Sequence, residues 1–307
     1  ARFAIRRDCD TVEAMPPARV PSIIVHGGAG ADPAEGRDEL RAGLRAAVLE
    51  GWRILTNDGS ALDAVEAAVR QLEDHPRFNA GRGSVLTSAG TIEMDAAIME
   101  GDRLRCGAVA AVSRVANPIA LARRVMEHTP HVLLVGEGAH DFARAQELPE
   151  CDPQSLVTER QLRRHSERAA AAMKGTVGAV ALDRHGTVAA ATSTGGMIGK
   201  LPGRVGDSAL IGCGTYADSS LGGVSCTGDG EAIIRVVLAR QALAHLKEAD
   251  DPDYAAKVAV ALLVEEGRGQ GGLILLDWRG RVGDAHSTPL MPVAIMSPTL
   301  GAPRIPF

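Results

Sequence analysis

The residues most able to do chemistry begin at Gly175-Thr176, where a threonine follows a glycine at the mouth of the apolar run Val177–Leu182. Three further polar groups follow within about 50 residues: Thr192-Ser193-Thr194-Gly195-Gly196, Gly203-Arg204-Val205-Gly206-Asp207-Ser208 and Ser225-Cys226-Thr227-Gly228. Singly, each has an ordinary reading. Threonine is a favoured strand residue, glycine before a strand is a kink, and Arg-x-x-Asp is a common surface ion pair. Jointly they supply the parts of an amide-cleaving pocket. A threonine hydroxyl is a poor nucleophile and needs a base; as a chain terminus, Thr176 would carry its own, an α-amine with a reference pKa of about 7.7–8.0. That use requires the Gly175–Thr176 bond to be broken first. Gly175 suits such a step, because without a Cβ the backbone can strain and expose its carbonyl. The arginine fork of Arg204 matches a carboxylate in two bonds and the carboxylate of Asp207 matches an ammonium, so together they fit a free amino-acid head.

From Ile23 to about Ser297 the chain resembles the plant-type L-asparaginase/isoaspartyl aminopeptidase family of N-terminal-nucleophile hydrolases. The resemblance is carried by Val25-His26-Gly27-Gly28-Ala29-Gly30, Phe78-Asn79-Ala80-Gly81, Glu93-Met94-Asp95-Ala96 and Lys200-Leu201-Pro202-Gly203-Arg204-Val205-Gly206-Asp207. Each piece is weak alone; their order around a Gly-Thr junction is specific. Lys174-Gly175 before the threonine, with Lys200-Leu201-Pro202 before Gly203, favours this branch over the glycosylasparaginases, which typically carry an acid before the threonine.

The resemblance implies autocatalytic cleavage between Gly175 and Thr176, followed by hydrolysis of L-asparagine and β-aspartyl (isoaspartyl) dipeptides to L-aspartate through a threonyl-acyl intermediate. Thr194 matches the hydroxyl that orients the nucleophile, Thr227 and Gly228 match the oxyanion hole, and Arg204, Asp207, Gly228, Gly230 and Asn79 fall in the substrate-binding set. No cofactor is expected for the chemistry. A structural sodium ion is implied, bound by main-chain carbonyls of Leu72, Glu73, His75, Phe78, Ala80 and Arg82; carbonyl oxygens suit a hard cation. One position departs from the family: Asp229 stands where an uncharged residue, often Thr, is usual. Its carboxylate either complements the dipole of the following helix or reaches the Thr176 α-amine and raises its pKa. The alternatives to this reading are a glycosylasparaginase-like hydrolase of sugar-linked asparagine and an unprocessed, inactive binding homologue.

Composition narrows the remaining classes. Hydrophobic residues make up 45% of the 307 and aromatics only 3%, so the core must be built from Ala, Val, Leu and Ile. The net charge of −5 leaves no basic stripe to neutralise phosphates, which argues against a nucleic-acid partner. No apolar run is long enough to span a membrane. Five cysteines, odd in number and without C-x-x-C spacing, suit a reducing cytoplasm rather than a disulfide framework or structural zinc. His128-x-x-His131 has metal-like spacing, but the intervening Pro130 favours two ordinary histidines.

The elements that must position these residues alternate along the chain. A buried strand at residues 22–26 runs into the Gly-Gly-Ala-Gly turn. Helices follow near 37–56 and 60–74, the second with Ser60 and Asp63 as a capping-box-like start. Strands are expected near 92–99 and 106–113, a helix from Asn117-Pro118, and a strand over 131–135. Pro149, Pro153, dense charge and the Ala169–Ala172 run mark a linker within about 148–175. Beyond it the pattern predicts a hairpin over 176–183 and 187–194, strands near 209–213 and 222–227, helices over 230–246 and 253–266, a hairpin over 271–278 and 281–285, and a last strand over 292–297. Strands with helices grouped between them fit an α+β protein with a covered sheet. The four-layer α-β-β-α sandwich is what the resemblance adds. Residues 1–20 are expected to be a disordered N-terminal extension. Residues 21–307 are read as one domain, cut into subunits 1–175 and 176–307 that pair and double into (αβ)2.

Overall fold

Ser60 adopts an extended conformation and its hydroxyl accepts the Asp63 amide at 3.1 Å, which starts a helix as the sequence predicts. The computed structural model describes residues 19–30, 35–167 and 175–307, and side-chain caps of this kind also start the helices at Glu159 and Pro252. Strand β1 (Ser22–His26) leads to helices α1 (Arg37–Thr56) and α2 (Ala61–Asp74), then β2 (Met94–Glu100) and β3 (Arg105–Val112). Helix α3 (Pro118–His128), the three-residue β4 (Leu133–Val135), α4 (Gly136–Ala145) and α5 (Glu159–Ser166) follow. The second part runs β5 (Val177–Leu182), β6 (Val188–Thr194), β7 (Thr215–Asp218), β8 (Gly222–Gly228), α6 (Gly230–Val236), α7 (Leu238–Ala249), α8 (Pro252–Glu265), β9 (Gly271–Asp277), β10 (Val282–His286) and β11 (Val293–Met296).

The strands form a seven-stranded sheet ordered β11-β1-β5-β6-β2-β3-β4 and a four-stranded sheet ordered β10-β9-β8-β7. All pairings are antiparallel except β3 with β4. Strands β1, β2, β5, β6 and β9 are buried along their whole length, which is why they read as continuous small-apolar runs rather than alternating ones. Their alternate residues separate into two cores. Ala179 and Ala181 pack with α1 and α2 residues such as Leu44 and Val65, while Val180 and Leu182 turn to the other face and meet Ile274 and Leu276 of the four-stranded sheet. The outer face of that sheet, including Val224 and Leu273, packs on Leu243 of α7 and Ala259 of α8. Among the described residues no helix is long and apolar enough to cross a membrane.

Three expectations are corrected. The strand expected near 209–213 is a short 3-10 turn at Asp207–Ala209, and the strand forms at Thr215–Asp218. Gly212 at φ +92° and the close approach of Gly214 to the Asp207 carbonyl break the extended run. The helix expected over 230–246 is two helices, with Val237 between them in the left-handed region at φ 51°. That break lets the first amides of α7 serve the preceding loop: Ala239 N donates to Cys213 O and Arg240 N to Gly212 O. The segment read as a linker is ordered through residue 167, with a 3-10 turn at Pro153–Leu156 followed by α5. Its polar residues cap loop carbonyls: Gln161 Nε2 donates to Gly83 O at 2.6 Å and Arg160 Nη1 to Arg77 O at 2.6 Å. The Ala169–Ala172 run, Lys174 and nearly all of the expected N-terminal extension lie outside the described residues.

Candidate active site

The β5–β6 register pairs Val177 with Ser193, so Thr176 at the start of one strand and Thr194 at the end of the other are neighbours. Thr176 Oγ1 donates to Thr194 Oγ1 at 3.2 Å. Thr194 Oγ1 in turn donates to the Gly175 carbonyl at 2.9 Å and accepts from Gly196 N at 2.9 Å. Asn79 completes the grip. Its Nδ2 donates to Gly175 O at 2.6 Å and to Gly196 O at 2.7 Å, while its Oδ1 accepts from Val85 N at 2.9 Å. Every donor and acceptor of that amide is therefore aimed by backbone, and the carbonyl ahead of Thr176 carries two donors. The reason for glycine at position 175 differs from the expected backbone strain: a Cβ there would sit 2.7 Å from Asn79 Cβ. Close approach, rather than a left-handed conformation, excludes a side chain.

The turn after β1 closes over the same bond. Gly28 has φ +103°, and a Cβ on it would lie 3.0 Å from Gly175 Cα and 3.2 Å from Thr176 N. Thr227 Oγ1 accepts from Ala29 N at 3.1 Å, which fixes this turn and leaves the Thr227 hydroxyl proton for another acceptor. Thr227 is fully buried and sits behind the cleft wall that Gly228 forms. His26 underlies the turn. Its Nδ1 accepts from Gly28 N at 3.3 Å, so Nε2 carries the proton and meets Ser225 Oγ at 2.9 Å. Burial drives its pKa down to about 3 against a favourable hydrogen bond to the Thr176 backbone, so it is a neutral scaffold at physiological pH.

Thr176, Thr194, Arg204, Asp207, Gly228 and Gly230 line one small cleft. Asp207 is only 4% exposed. Burial pushes its carboxyl up to about 7, with Arg204 pulling the other way, and its Oδ2 accepts no hydrogen bond from the described residues. That oxygen lies against Gly214, while Oδ1 lies beside Gly230 at the cleft, where an arriving ammonium would find a buried carboxylate to pair with. Arg204 is engaged by Glu231: Nε and Nη2 each donate to a Glu231 carboxylate oxygen at 2.9 Å. Gly230 lies between Arg204 and Asp207, since a Cβ there would lie 2.7 Å from Arg204 Nη2 and 2.9 Å from Asp207 Oδ1.

The segment after α2 was singled out for main-chain carbonyls. Glu73 O accepts from Arg82 N at 2.7 Å and His75 O from Phe78 N at 3.2 Å. The last turn of α2 contains no basic residue to offset the negative end of the helix. Glycine is required at two points along this backbone: a Cβ on Gly81 would sit 2.5 Å from Glu73 O, and one on Gly83 2.7 Å from Phe78 O. The negative helix end and the close backbone are what a hard cation would draw on here, while Glu73 O and His75 O each already accept an amide. No cluster of His, Cys, Asp or Glu suited to a metal occurs among the described residues.

Asp229 is the N-cap residue of α6, beside the positive end of that helix. It makes no side-chain cap to α6. Instead its Oδ2 accepts from Gln270 N at 2.8 Å and its own amide donates to Gln270 O at 2.8 Å, clasping the end of β8 to the start of β9. Sequence reasoning also missed two carboxylates. Glu231 reads as an ordinary acid in a first helical turn, and its partner Arg204 is 27 positions away. Glu73 was named only for its carbonyl, yet its fully buried side chain accepts from Ser193 Oγ at 2.6 Å and Ile119 N at 3.0 Å, with burial raising its pKa to about 8.

Comparison with known proteins gives the family. The asparaginase family model matches residues 19–300. The chain is 47% identical over 270 residues to the isoaspartyl peptidase/L-asparaginase of Homo sapiens, covering 85% of this chain and 88% of that protein. It is also 47% identical over 270 residues to the protein of the same name from Danio rerio, covering 85% and 87%. With the plant-type L-asparaginase of Pyrococcus abyssi (strain GE5 / Orsay) it is 46% identical over 306 residues, 92% of this chain and 98% of that protein. With Thr176, the gripped Gly175 carbonyl, Arg204 and Asp207 gathered at one cleft, and a family match over nearly its whole length, the chain belongs to the asparaginase family.

Proposed function

We propose that the protein is a self-cleaving amidohydrolase that converts L-asparagine and β-aspartyl dipeptides to L-aspartate. The observation that carries this is the contact set at one peptide bond: Thr176 Oγ1 on Thr194, with Asn79 and Thr194 both donating to the Gly175 carbonyl. In the first reaction Thr176 Oγ1 attacks the Gly175 carbonyl carbon, the C–N bond breaks and nitrogen takes the hydroxyl proton, leaving an ester. Charge develops on the Gly175 oxygen, where Asn79 Nδ2 and Thr194 Oγ1 already point; such a donor is commonly worth about 2.7–4 kcal/mol. Water then releases Gly175 as a carboxylate and Thr176 as an amine.

In the second reaction that α-amine takes the proton of its own hydroxyl, and Oγ1 attacks the side-chain carbonyl of the substrate. Ammonia or the leaving amino acid departs with the proton, and water hydrolyses the aspartyl ester. Asp207 receives the substrate ammonium. Arg204 receives the α-carboxylate on the guanidinium end that Glu231 leaves open. Thr227 and Gly228 stabilise the tetrahedral oxygen. The helix-covered pair of sheets supports the four-layer α-β-β-α sandwich of N-terminal-nucleophile hydrolases, with (αβ)2 as the assembly and the cytoplasm as its compartment. Carbonyls of residues 72–82 would hold a sodium ion that stiffens the loop carrying Asn79. Assaying L-asparagine, β-aspartyl-leucine and a glycosylated asparagine side by side tests the substrate class. Release of L-aspartate from the first two is expected; turnover of the sugar-linked substrate alone would overturn it.

A further inference from the structure

We infer that Asp95 on β2, with Glu93 just ahead of that strand, is the positioning residue for the amino-acid head of the substrate. Asp95 is fully buried, yet its carboxylate is spent wholly on backbone: Oδ1 accepts from Ala111 N at 3.0 Å and Oδ2 from Gly206 N at 3.1 Å. The first bond anchors it. The β2–β3 register shifts between Met94 and Ala96, and Ala111 in the resulting bulge has φ 52°, so its amide leaves the ladder and needs a side-chain acceptor. The second bond reaches the segment that recognises substrate. Gly206 lies between Arg204 and Asp207, so close to the guanidinium that a Cβ on it would meet Arg204 Nη1 at 2.8 Å.

Glu93 ties the same segment further back. Its Oε2 accepts from Gly203 N at 2.7 Å, and its carbonyl accepts from Lys200 Nζ at 2.8 Å. Residues 93 and 95, at the entry to β2, therefore hold the 200–207 segment at Lys200, Gly203 and Gly206, on both sides of Arg204 and directly before Asp207. Asp95 also pairs in register with Thr194. The spacing between the hydroxyl that holds Thr176 and the groups that grip the substrate head is thus set across one residue pair of the sheet. Asp95 touches neither Thr176 nor Gly175 through its side chain, so its effect falls on recognition and not on self-cleavage.

This inference rests on reading Arg204 and Asp207 as the amino-acid site. In Asp95→Asn the amide oxygen can serve only one of the two backbone donors, and its NH2 faces the other. The self-cleavage rate is expected to stay within about twofold of wild type, while the dissociation constant for L-aspartate rises about tenfold or more and KM for L-asparagine rises more than kcat falls. Glu93→Ala, at a partly exposed position, frees only the Gly203 end and is expected to weaken L-aspartate binding about threefold with self-cleavage intact; it carries the test if Asp95→Asn does not fold. Unchanged L-aspartate affinity in the folded variants, or a parallel loss of self-cleavage, overturns the positioning role. Failure of the wild-type enzyme to bind L-aspartate overturns the amino-acid site itself, and the inference with it.

Discussion

Asp207 gives the most quantitative handle on the pocket. Its carboxyl is buried, has an unpartnered oxygen, and is pushed up to about 7. Only the ionised form can pair with the ammonium of L-aspartate. With a pKa of about 7, the ionised fraction rises from about one in eleven at pH 6 to about ten in eleven at pH 8, a tenfold gain in available sites. Succinate has the two carboxylates but no ammonium, so ionisation of Asp207 repels it instead. The Thr176 α-amine titrates nearby, at about 7.7–8.0 in reference peptides, but its loss of charge acts on both ligands alike. The ratio of the two affinities therefore isolates Asp207. Measured calorimetrically on the cleaved enzyme, the preference for L-aspartate over succinate should grow by about tenfold or more between pH 6 and pH 8. Asp207→Asn should abolish that growth. It should also weaken L-aspartate binding by about 3 kcal/mol, on the order of a hundredfold, the lower range for removing one partner of a buried charge pair. A preference that stays flat across this window in the wild-type enzyme would refute the assignment of Asp207 to the ammonium.

The same carboxyl has a stability consequence of defined sign. Its folded pKa lies above its ordinary value, so its contribution is full below the usual carboxylate range and is lost as pH rises through about 7; the melting temperature of Asp207→Asn relative to wild type should therefore increase from pH 5 to pH 8, and a constant difference would contradict the shift. Asn79→Ala removes one of two donors from the Gly175 carbonyl and should slow self-cleavage by about a hundredfold or more, read as fragment appearance on a denaturing gel; cleavage at the wild-type rate would remove Asn79 from the mechanism. Exchanging sodium for a bulky organic cation should lower the melting temperature if carbonyls of residues 72–82 hold the ion, and indifference to the exchange would argue against that site.

Much of the fold is legible in the sequence because its central strands are buried on both faces and some of its helices begin at local signals. Ser60 before Asp63 and Asn117 before Pro118 mark two helix starts without tertiary information. What escapes is what tertiary contact decides. Nothing local announces that Val237 adopts a left-handed conformation; that break exists because the amides of α7 are needed by the 212–213 loop. The charge-rich stretch before residue 168 looks like a linker because its partners, the carbonyls of Arg77 and Gly83, are about 80 residues distant. The site divides the same way. Thr176, Thr194, Arg204 and Asp207 are legible through the family motifs they match, and the fold brings them into one cleft. Glu231, the Glu73 carboxylate and Asp95 act through partners far along the chain, so residue type alone assigns them no task. At Gly175 residue type is informative but incomplete: the residue is legible, while its reason, the side chain of Asn79, is not.

Scission of the Gly175–Thr176 bond is the most direct test of the self-cleaving mechanism. Purified protein, incubated and resolved on a denaturing gel, should convert from one band to two, and N-terminal sequencing of the smaller should begin Thr176-Val177-Gly178. Thr176→Ala, which removes the hydroxyl and leaves the surrounding contacts of Asn79 and Thr194, should remain a single folded chain without amidohydrolase activity. Appearance of the same two fragments from Thr176→Ala, or full activity from a wild-type chain that stays uncut, would contradict the mechanism.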